Sequence, residues 1–271
     1  MPIAGITQGL GIGGGAMATS SGAPAGGGGL TNEYSVYFDN DYLDVTPSSN
    51  IALYGLSMWF SCDTTVTHDV RDGVLFGPDG GTNWFLGLGG NFTGTLTDEL
   101  ISINTGARYG YCSSDSSDVI ATGWHHVVAA WSTSSATNGG GNGYDIYLDG
   151  AKVGNAANTD YGAATLYTLS SAGAFRIGER GNGAYPYSGL IDEVAIFDST
   201  LSSSDVTTLY NGGVPSDIES LSPAGWWRMG DNNAASAGSA VSVITDIGAG
   251  GNNMTQSTAA DQPVLSTDVA S

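Results

Sequence analysis

Basic residues are scarce in this chain: six Lys and Arg stand against 26 Asp and Glu in 271 residues, which gives a formal net charge of −20. Such a charge repels the phosphates of nucleic acids and anionic membrane surfaces, so we expect neither as a partner. No apolar run approaches the roughly 18 residues that span a bilayer, and membrane insertion is not expected. The two cysteines, Cys62 and Cys112, are too few for a disulfide scaffold. The sequence leaves open whether they pair or remain buried thiols.

Glycine is abundant instead, with 43 residues, and most of the acidic residues are aspartate. Both residue types favour turns and disfavour helices, which excludes a coiled coil or a helical bundle. The hydrophobic fraction of 41%, with 10% aromatic residues, still allows a sizeable core. The composition therefore predicts a fold rich in strands and turns.

The first 30 residues differ from the rest of the chain: they are rich in glycine, carry no charged side chain and show no periodic pattern. Such a segment buries too little apolar surface to fold alone. We expect residues 1–30 to form an arm held by another subunit of an assembly, although the arm could also fold back onto its own domain. Its candidate contacts are the large apolar side chains Ile3, Ile6, Leu10 and Ile12. The start of the chain also lacks the basic region of a standard signal peptide.

From residue 34 onward, short segments alternate between apolar and polar residues, as half-buried strands do. The predicted strands are 34–38, 42–45, 53–61, 74–76, 84–88, 99–104, 108–112, 124–131, 144–148, 151–153, 175–178 and 189–197. One helix is predicted over 201–210, where serines supply the N-cap and Asn211-Gly212-Gly213 ends the helix. Many short strands with one short helix indicate an all-β, antiparallel β-sandwich.

Several of these segments, in this order, resemble the laminin-G-like jelly-roll domain of the concanavalin A-like lectin/glucanase superfamily. They are YSVYFDNDYLDV (34–45), LSMWF (56–60), GWHHVVAAW (123–131), YDIYLDGAKVG (144–154), FRIGE (175–179) and SGLIDEVAIFDSTLSSSDVTTLYNGG (188–213). The resemblance implies a concanavalin A-like jelly roll of two antiparallel sheets over residues 31–213. Residues 214–271 are then an extension that packs on or beside the sandwich.

Two segments of this extension, GWWRMGD (225–231) and ITDIGAGGNNMTQ (244–256), resemble the continuation found in structural proteins of tailed bacteriophages. The resemblance implies a non-enzymatic virion protein, such as a capsid decoration, a spike or a tail fibre component. We expect such a protein to be assembled in the host cytoplasm and exposed outside the cell, with other virion proteins and copies of itself as partners. The alternative is a carbohydrate-binding module that adheres to a host-surface glycan.

The same family resemblance implies a structural Ca²⁺ near the first strand turn and the Asp of the I-D-E-V segment. The matching residues are Asp39 and Asp192. Calcium takes six to eight oxygen ligands, mostly from carboxylates and carbonyls. Without a metal, Asp39 would form an Asx turn, and Asp192 would be solvated or hydrogen-bonded within the protein.

A catalytic set is not evident. Glycoside hydrolases of this superfamily place two carboxylates on either side of a sugar bond. The adjacent acids Asp98-Glu99 and Asp192-Glu193 should point to opposite faces if they lie in regular strands. His125 and His126 are also consecutive, and we expect them to have a structural role. The sequence therefore predicts a protein that is not an enzyme.

Glycan binding by a sandwich uses aromatic rings together with polar side chains. The candidates are Trp84, Tyr109, Tyr111, Tyr185 and Tyr187, each of which could equally be a packing residue. Tyr185 and Tyr187 are the best of them because they lie in a Gly-rich loop. In Trp226-Trp227 one indole should face inward and the other outward, and the outward one could lie in a subunit interface.

Overall fold

The computed structural model describes residues 30–63, 73–78, 86–88, 101–104, 109–112, 123–133, 143–153, 166–232 and 236–271. These residues form two large antiparallel sheets, A and B, and strands are numbered in chain order. The neighbours in sheet A are, in order, β11 (Ala151–Lys152), β10 (Gly143–Leu148), β9 (Trp124–Ser132), β4 (Gly55–Cys62), β14 (Ser188–Phe197), β1 (Ser35–Asp39) and β18 (Val264–Ser266). A further strand, β15 (Gly225–Trp227), pairs with the second half of β14.

Sheet B also has eight strands in the described part of the chain. Its neighbours are, in order, β16 (Val243–Ile244), β17 (Met254–Thr255), β2 (Leu43–Val45), β13 (Phe175–Ile177), β5 (Val74–Pro78), β6 (Leu86–Leu88), β7 (Ile101–Asn104) and β8 (Tyr109–Cys112). The short strands β3 (Ile51–Ala52) and β12 (Thr168–Leu169) pair with each other. The predicted antiparallel sandwich is thereby confirmed.

The main core lies between the two sheets, because every second side chain of a strand points to the same face. On β4, Leu56, Met58 and Phe60 are fully buried in this core. Ser57 and Trp59 of the same strand face away from sheet B. The outer face of sheet A carries a second apolar cluster, made by Val128, Ala130, Ala195, Phe197, Val206, Leu209, Ile218 and Trp226.

Helix α1 (Ser203–Tyr210) covers this outer face of sheet A and buries Val206 and Leu209 there. The helix begins with a capping box between Ser202 and Asp205. Asn211 ends it in the left-handed conformation. The predicted helix is present, and it begins later than position 201 because Ser202 is the N-cap. Among the described residues, no helix has the length and apolarity needed to cross a membrane.

The residues after 213 contribute strands to both sheets. β15 and β18 belong to sheet A, and β16 and β17 belong to sheet B. The two neighbouring tryptophans of β15 face opposite sides, as predicted: Trp227 lies in the core between the sheets and Trp226 in the outer cluster. Trp226 is only 5% exposed within the chain itself, which leaves it little surface to contribute to a subunit interface.

Candidate functional site

The outer face of sheet B is the broad face that the described helix does not cover. Strand register aligns one outward residue from each of four neighbouring strands into a row: Thr255, Asp44, Arg176 and Gly77. The side chains flanking this row in β2 and β13 are buried in the core between the sheets. The row therefore marks a polar surface on top of an apolar sheet.

Arg176 is the centre of this surface. Its Nε donates to Asp44 Oδ1 and its terminal NH1 donates to Glu179 Oε2, each at 2.9 Å. Its guanidinium carbon lies 3.7 Å from the centre of the Tyr42 ring, within cation–π range. Burial acts to lower the pKa of Arg176, but the bond to Asp44 raises it overall. The arginine thus stays charged and holds the aromatic ring in place.

The loop after β13 lies over Gly77, which has no side chain to obstruct it. A Cβ atom on Gly77 would be 3.3 Å from the Glu179 carbonyl oxygen. Within the loop, the Arg180 N–H donates to the Ala184 carbonyl at 3.2 Å. Tyr185 follows with φ of 60°, a left-handed conformation that is uncommon outside glycine and is found at functional sites. We call Tyr42, Asp44, Arg176 and Tyr185 the open face; Glu179 is buried beneath it, paired with Arg176.

The structure places the predicted ligand-binding residues in different surroundings. Tyr185 belongs to the open face, where the guanidinium carbon of Arg180 lies 5.4 Å from its ring centre. The prediction for Tyr187 is wrong: its ring is 0% exposed in the core, and its hydroxyl donates to the Ser61 carbonyl at 2.8 Å. A fully buried ring is inaccessible to a glycan.

Several predicted residues cannot be assigned to the face. Tyr109 and Tyr111 lie on β8, the edge strand of sheet B, but their side chains are outside the described part of the chain. The same is true of Trp84, of the side chain of Cys112, and of the arm residues Ile3, Ile6, Leu10 and Ile12. Sequence reasoning missed Tyr42. The alternation of the strand could have identified it: Tyr42 lies two residues before Asp44 and therefore on the same outward face, whereas Leu43 and Val45 face the core.

The two predicted calcium ligands do not share a site. Asp39 is paired with Ser188, and Asp192 lies four residues further along β14, about 13 Å away by strand geometry. Calcium requires oxygen ligands, yet the Asp192 carboxylate accepts N–H groups from Asn32, Glu193 and Ala270. The described residues contain no group of three Asp, Glu, His or Cys that could hold a metal. This arrangement does not fit a joint Asp39–Asp192 site, and calcium binding stays a prediction.

Asp192 instead ties the two ends of the described chain to β14. Its Oδ2 accepts Asn32 Nδ2 at 2.8 Å, and the same amide nitrogen donates to the Ala270 carbonyl at 3.0 Å. Burial raises the pKa of Asp192, and the neighbouring Glu193 raises it further. The geometry indicates a structural role for this carboxyl group.

Asp192 and Glu193 do not lie in the regular strand on which the opposite-face expectation depended, because β14 has a bulge between Asp192 and Ala195. Glu193 has φ of 45° at this bulge and accepts hydrogen bonds from Trp226 Nε1 at 2.7 Å and Arg228 Nε at 2.9 Å. Burial raises the pKa of Glu193 to about 7, although Arg228 acts to lower it. Asp192 is 0% and Glu193 6% exposed, so this pair of acids is not accessible to a sugar.

The two consecutive histidines are buried in separate environments. His125 Nδ1 lies 2.7 Å from Asp149 Oδ2. His126 Nε2 lies 2.8 Å from Ser57 Oγ, and its ring is 4.6 Å from Trp59 and 6.0 Å from Tyr210 of α1, centre to centre. Both histidines thus pack within the fold, and the Ser57–His126 pair is inaccessible to a substrate.

His126 should make the fold sensitive to acid. Burial lowers its pKa to about 3, although Asp149 acts to raise it, whereas the ordinary value of 6.5 applies to the unfolded chain. Between these values the unfolded state binds the proton, so stability falls as the pH falls below 6.5. We expect the wild type to lose up to about 1.4 kcal/mol per pH unit relative to His126→Gln. Urea unfolding from pH 8 to pH 4 measures this; parallel curves for the two proteins would contradict it.

Comparison with known proteins identifies the family of this fold. The model of the Laminin_G_3 family, described as concanavalin A-like lectin/glucanases superfamily, matches residues 36–207, more than half of the chain. The chain belongs to this superfamily. The strands of this concanavalin A-like domain that carry the open face, β2 and β13, lie within the matched range.

The solved structures that are similar to the chain share little sequence identity with it. The concanavalin A-like domain is similar to a Bacteroides ovatus protein described as carbohydrate binding, with 18% identity and a TM-score of 0.56, over 89% of this chain and 61% of that chain. The chain thus spans about three fifths of that protein's length. A heptameric SAP-like pentraxin from Limulus polyphemus has 18% identity and a TM-score of 0.42, over 66% of this chain and 82% of that chain. Trypanosoma rangeli sialidase has 23% identity and a TM-score of 0.35, over 58% of this chain and 22% of that chain. No curated protein matches the chain.

Proposed function

We propose that this protein is a non-enzymatic carbohydrate-binding domain and that it binds glycans at the open face. The observation that carries the proposal is the stacking of Arg176 on the Tyr42 ring at the outer face of sheet B, with Tyr185 held in the loop that lies over Gly77 of the same face. Basic residues number only six in the whole chain, and two of them, Arg176 and Arg180, each lie beside a tyrosine of this face.

The chemistry of the open face suits a sugar. Tyrosine rings pack against the apolar C–H groups of a pyranose, and carboxylates and guanidinium groups form hydrogen bonds with its hydroxyls. Asp44 is an acceptor, and Arg176 already positions its carboxylate. A pre-positioned polar set loses less conformational entropy when a ligand binds. The description of the Bacteroides ovatus protein as carbohydrate binding supports the same class of ligand.

The proposal that the domain is not an enzyme rests on the surroundings of its acids. Asp192 and Glu193 are buried, and Asp44 and Glu179 share one arginine. A glycosidase needs one carboxyl group as an acid and another as a nucleophile or base. Two carboxylates that are both paired with Arg176 are poorly suited to these opposite roles.

Removing the rings of the open face should weaken glycan binding. We expect Tyr42→Leu and Tyr185→Asn each to reduce affinity for a bound polysaccharide about tenfold, because each loses a stacking surface. Asparagine tolerates the left-handed conformation of residue 185. A glycan array identifies the ligand, and titration calorimetry measures the affinities. Tyr147→Leu, on sheet A, is the matched control and should bind as the wild type does. Equal affinity of all four proteins would contradict the proposal.

A virion role is a second candidate. It is supported by contacts that hold the residues at the end of the arm against the domain. Leu30 packs against the outer cluster of sheet A, and Asp231 Oδ1 accepts the N–H groups of Glu33 and Tyr34 at 2.8 Å each. The arm is therefore attached at a fixed point of the domain, as an anchor requires. A domain displayed on a particle and binding a host glycan would combine both candidates.

The arm should control assembly if it has this role. Light scattering after size exclusion should show a larger species for the full chain than for a chain that begins at Leu30. The truncated chain should be a monomer, since its own fold keeps the apolar clusters covered. Two monomers of equal stability would contradict an assembly role for residues 1–29 in the isolated protein.

A further inference from the structure

A groove of about 400 Å³ lies where the sandwich meets the C-terminal residues, apart from the open face. One wall is the loop 48–52 before and within β3, and the other is the loop 249–252. Asp198, just beyond β14, stands at the groove, and Ala52 and Ala224 contribute to its apolar surface. We call this the junction groove. It shares no residue with the open face.

The junction groove is preformed, because hydrogen bonds fix both walls. The Ser48 N–H donates to Asn252 Oδ1 at 2.8 Å, which joins the walls directly. The Gly250 N–H donates to the Ala224 carbonyl at 2.9 Å. A Cβ on Gly250 would come within 2.5 Å of that carbonyl oxygen, so only glycine fits this approach. A rigid concave site is the usual form of a small-molecule site.

Three kinds of polar group remain available in the groove. Asp198 is exposed, and its carboxylate makes no hydrogen bond to another described residue. Asn50 is exposed and uses its Oδ1 for Ser171, which leaves its amide NH₂ group as a donor, whereas the buried Asn252 uses its Oδ1 for Ser48 and shapes the wall. Hydroxyl groups of Ser48 and Ser49 complete the set.

We propose that the junction groove is a second binding site, for an uncharged sugar residue or another neutral polyol with vicinal hydroxyls. A carboxylate acceptor beside amide donors can bind two neighbouring hydroxyls, one as donor and one as acceptor. The groove residues include Asp198 and no Lys or Arg, so an anionic sugar is repelled. The alanine surface accepts the C–H face of a ring. The proposal rests on the proposed function only for the class of ligand, since the residues are different.

The test is protein-observed NMR with the full chain and three probes: the methyl glycosides of glucose, galactose and mannose. At least one should shift signals of residues 48–52 and 249–252, and the anionic methyl glucuronide should not. Asp198→Ala should weaken this binding about tenfold, because a charge-assisted hydrogen bond is lost. Ala249→Phe, at an exposed wall position, should block the groove. Asp217→Asn, another exposed acid, is the matched control and should leave the shifts unchanged.

The variants separate the two proposed sites. Shifts that persist in Tyr185→Asn and disappear in Asp198→Ala and Ala249→Phe would support the junction groove. Shifts that disappear in Tyr185→Asn and persist in the groove variants would overturn the groove and leave the open face as the site. If none of the three neutral glycosides shifts the groove signals, the groove proposal is wrong. Polysaccharide binding at the open face is tested separately, by Tyr42→Leu and Tyr185→Asn. Unchanged melting temperatures of the groove variants establish that they fold.

Discussion

Replacing Asp246 by alanine should destabilise the protein by about 3–5 kcal/mol, since each hydrogen bond to a charged group contributes roughly 1.5–3 kcal/mol. Its carboxylate accepts three backbone N–H groups: Oδ1 from Trp226 and Gly248 at 2.8 Å each, and Oδ2 from Asn252 at 2.7 Å. Asp246 itself is buried, so alanine leaves N–H groups without an acceptor. Urea unfolding followed by tryptophan fluorescence measures the loss.

Asp217→Ala is the control for this experiment. Asp217 is exposed and accepts one N–H, from Glu219 at 3.0 Å, so its loss should cost less than about 1 kcal/mol. Asp246→Asn should fall between the two, because the amide retains one acceptor oxygen. A loss for Asp246→Ala no larger than that for Asp217→Ala would contradict the role of Asp246. Since Asp246 holds the loop that includes Asn252, the alanine variant should also lose neutral-sugar binding in the junction groove.

Arg228→Met should cost up to about 3–5 kcal/mol at a pH where Glu193 is ionised, because it leaves a buried carboxylate without its cation; the cost is smaller where Glu193 can take up a proton. The Arg228 guanidinium donates to Glu193 Oε1 at 2.9 Å, to the Thr31 carbonyl at 2.6 Å and to Asp231. Arg228 therefore joins the bulge of β14 to Thr31, the first residue after the arm. Urea unfolding of the wild type and the variant checks the size of the loss.

A double variant tests the physical cause. In Arg228→Met with Glu193→Gln, the buried charge is gone while the amide oxygen still accepts from Trp226 Nε1. If the unpaired charge dominates, the double variant should recover much of the stability that the single variant loses. Additive losses would show that the cost lies in the packing of the Arg228 side chain. Lys152, which lies on an exposed edge strand and pairs with Asp145, is a surface comparison: Lys152→Met should cost less than about 1 kcal/mol.

The candidate site was only partly predictable from the sequence. Tyr185 was singled out as a loop aromatic, and its role in binding stays a prediction; the same argument failed for Tyr187, whose ring turns into the core two residues later. In an irregular loop no period indicates which side chain faces inward. Tyr42 and Arg176 could be assigned to the outward positions of their strands. That they touch depends on β2 pairing with β13, across more than 130 residues of chain.

The junction groove shows the same limit. Ser48 and Asn252 are 204 residues apart, and neither belongs to a motif that singles it out. Their contact depends on the extension entering both sheets, where β17 pairs with β2 and β15 pairs with β14. The bulge at Glu193 also escaped prediction, because nothing in the I-D-E-V segment shows where the pairing register of β14 shifts.

The sequence by itself predicted many of the elements: alternation with period two predicted most strands between residues 34 and 197, serines and Asn211-Gly212-Gly213 predicted the ends of the helix, and composition excluded a helical bundle. Local interactions decide these features, since a residue and its near neighbours contain the information. Only the tertiary structure decided which strands are neighbours, which acids are buried, and which polar groups converge on the open face and the junction groove. The physical reason is that alternation shows which side chains of a strand share a face, but it does not show which other strand lies beside it. Pairing is selected by packing of the whole core, and the binding surfaces are a consequence of that choice.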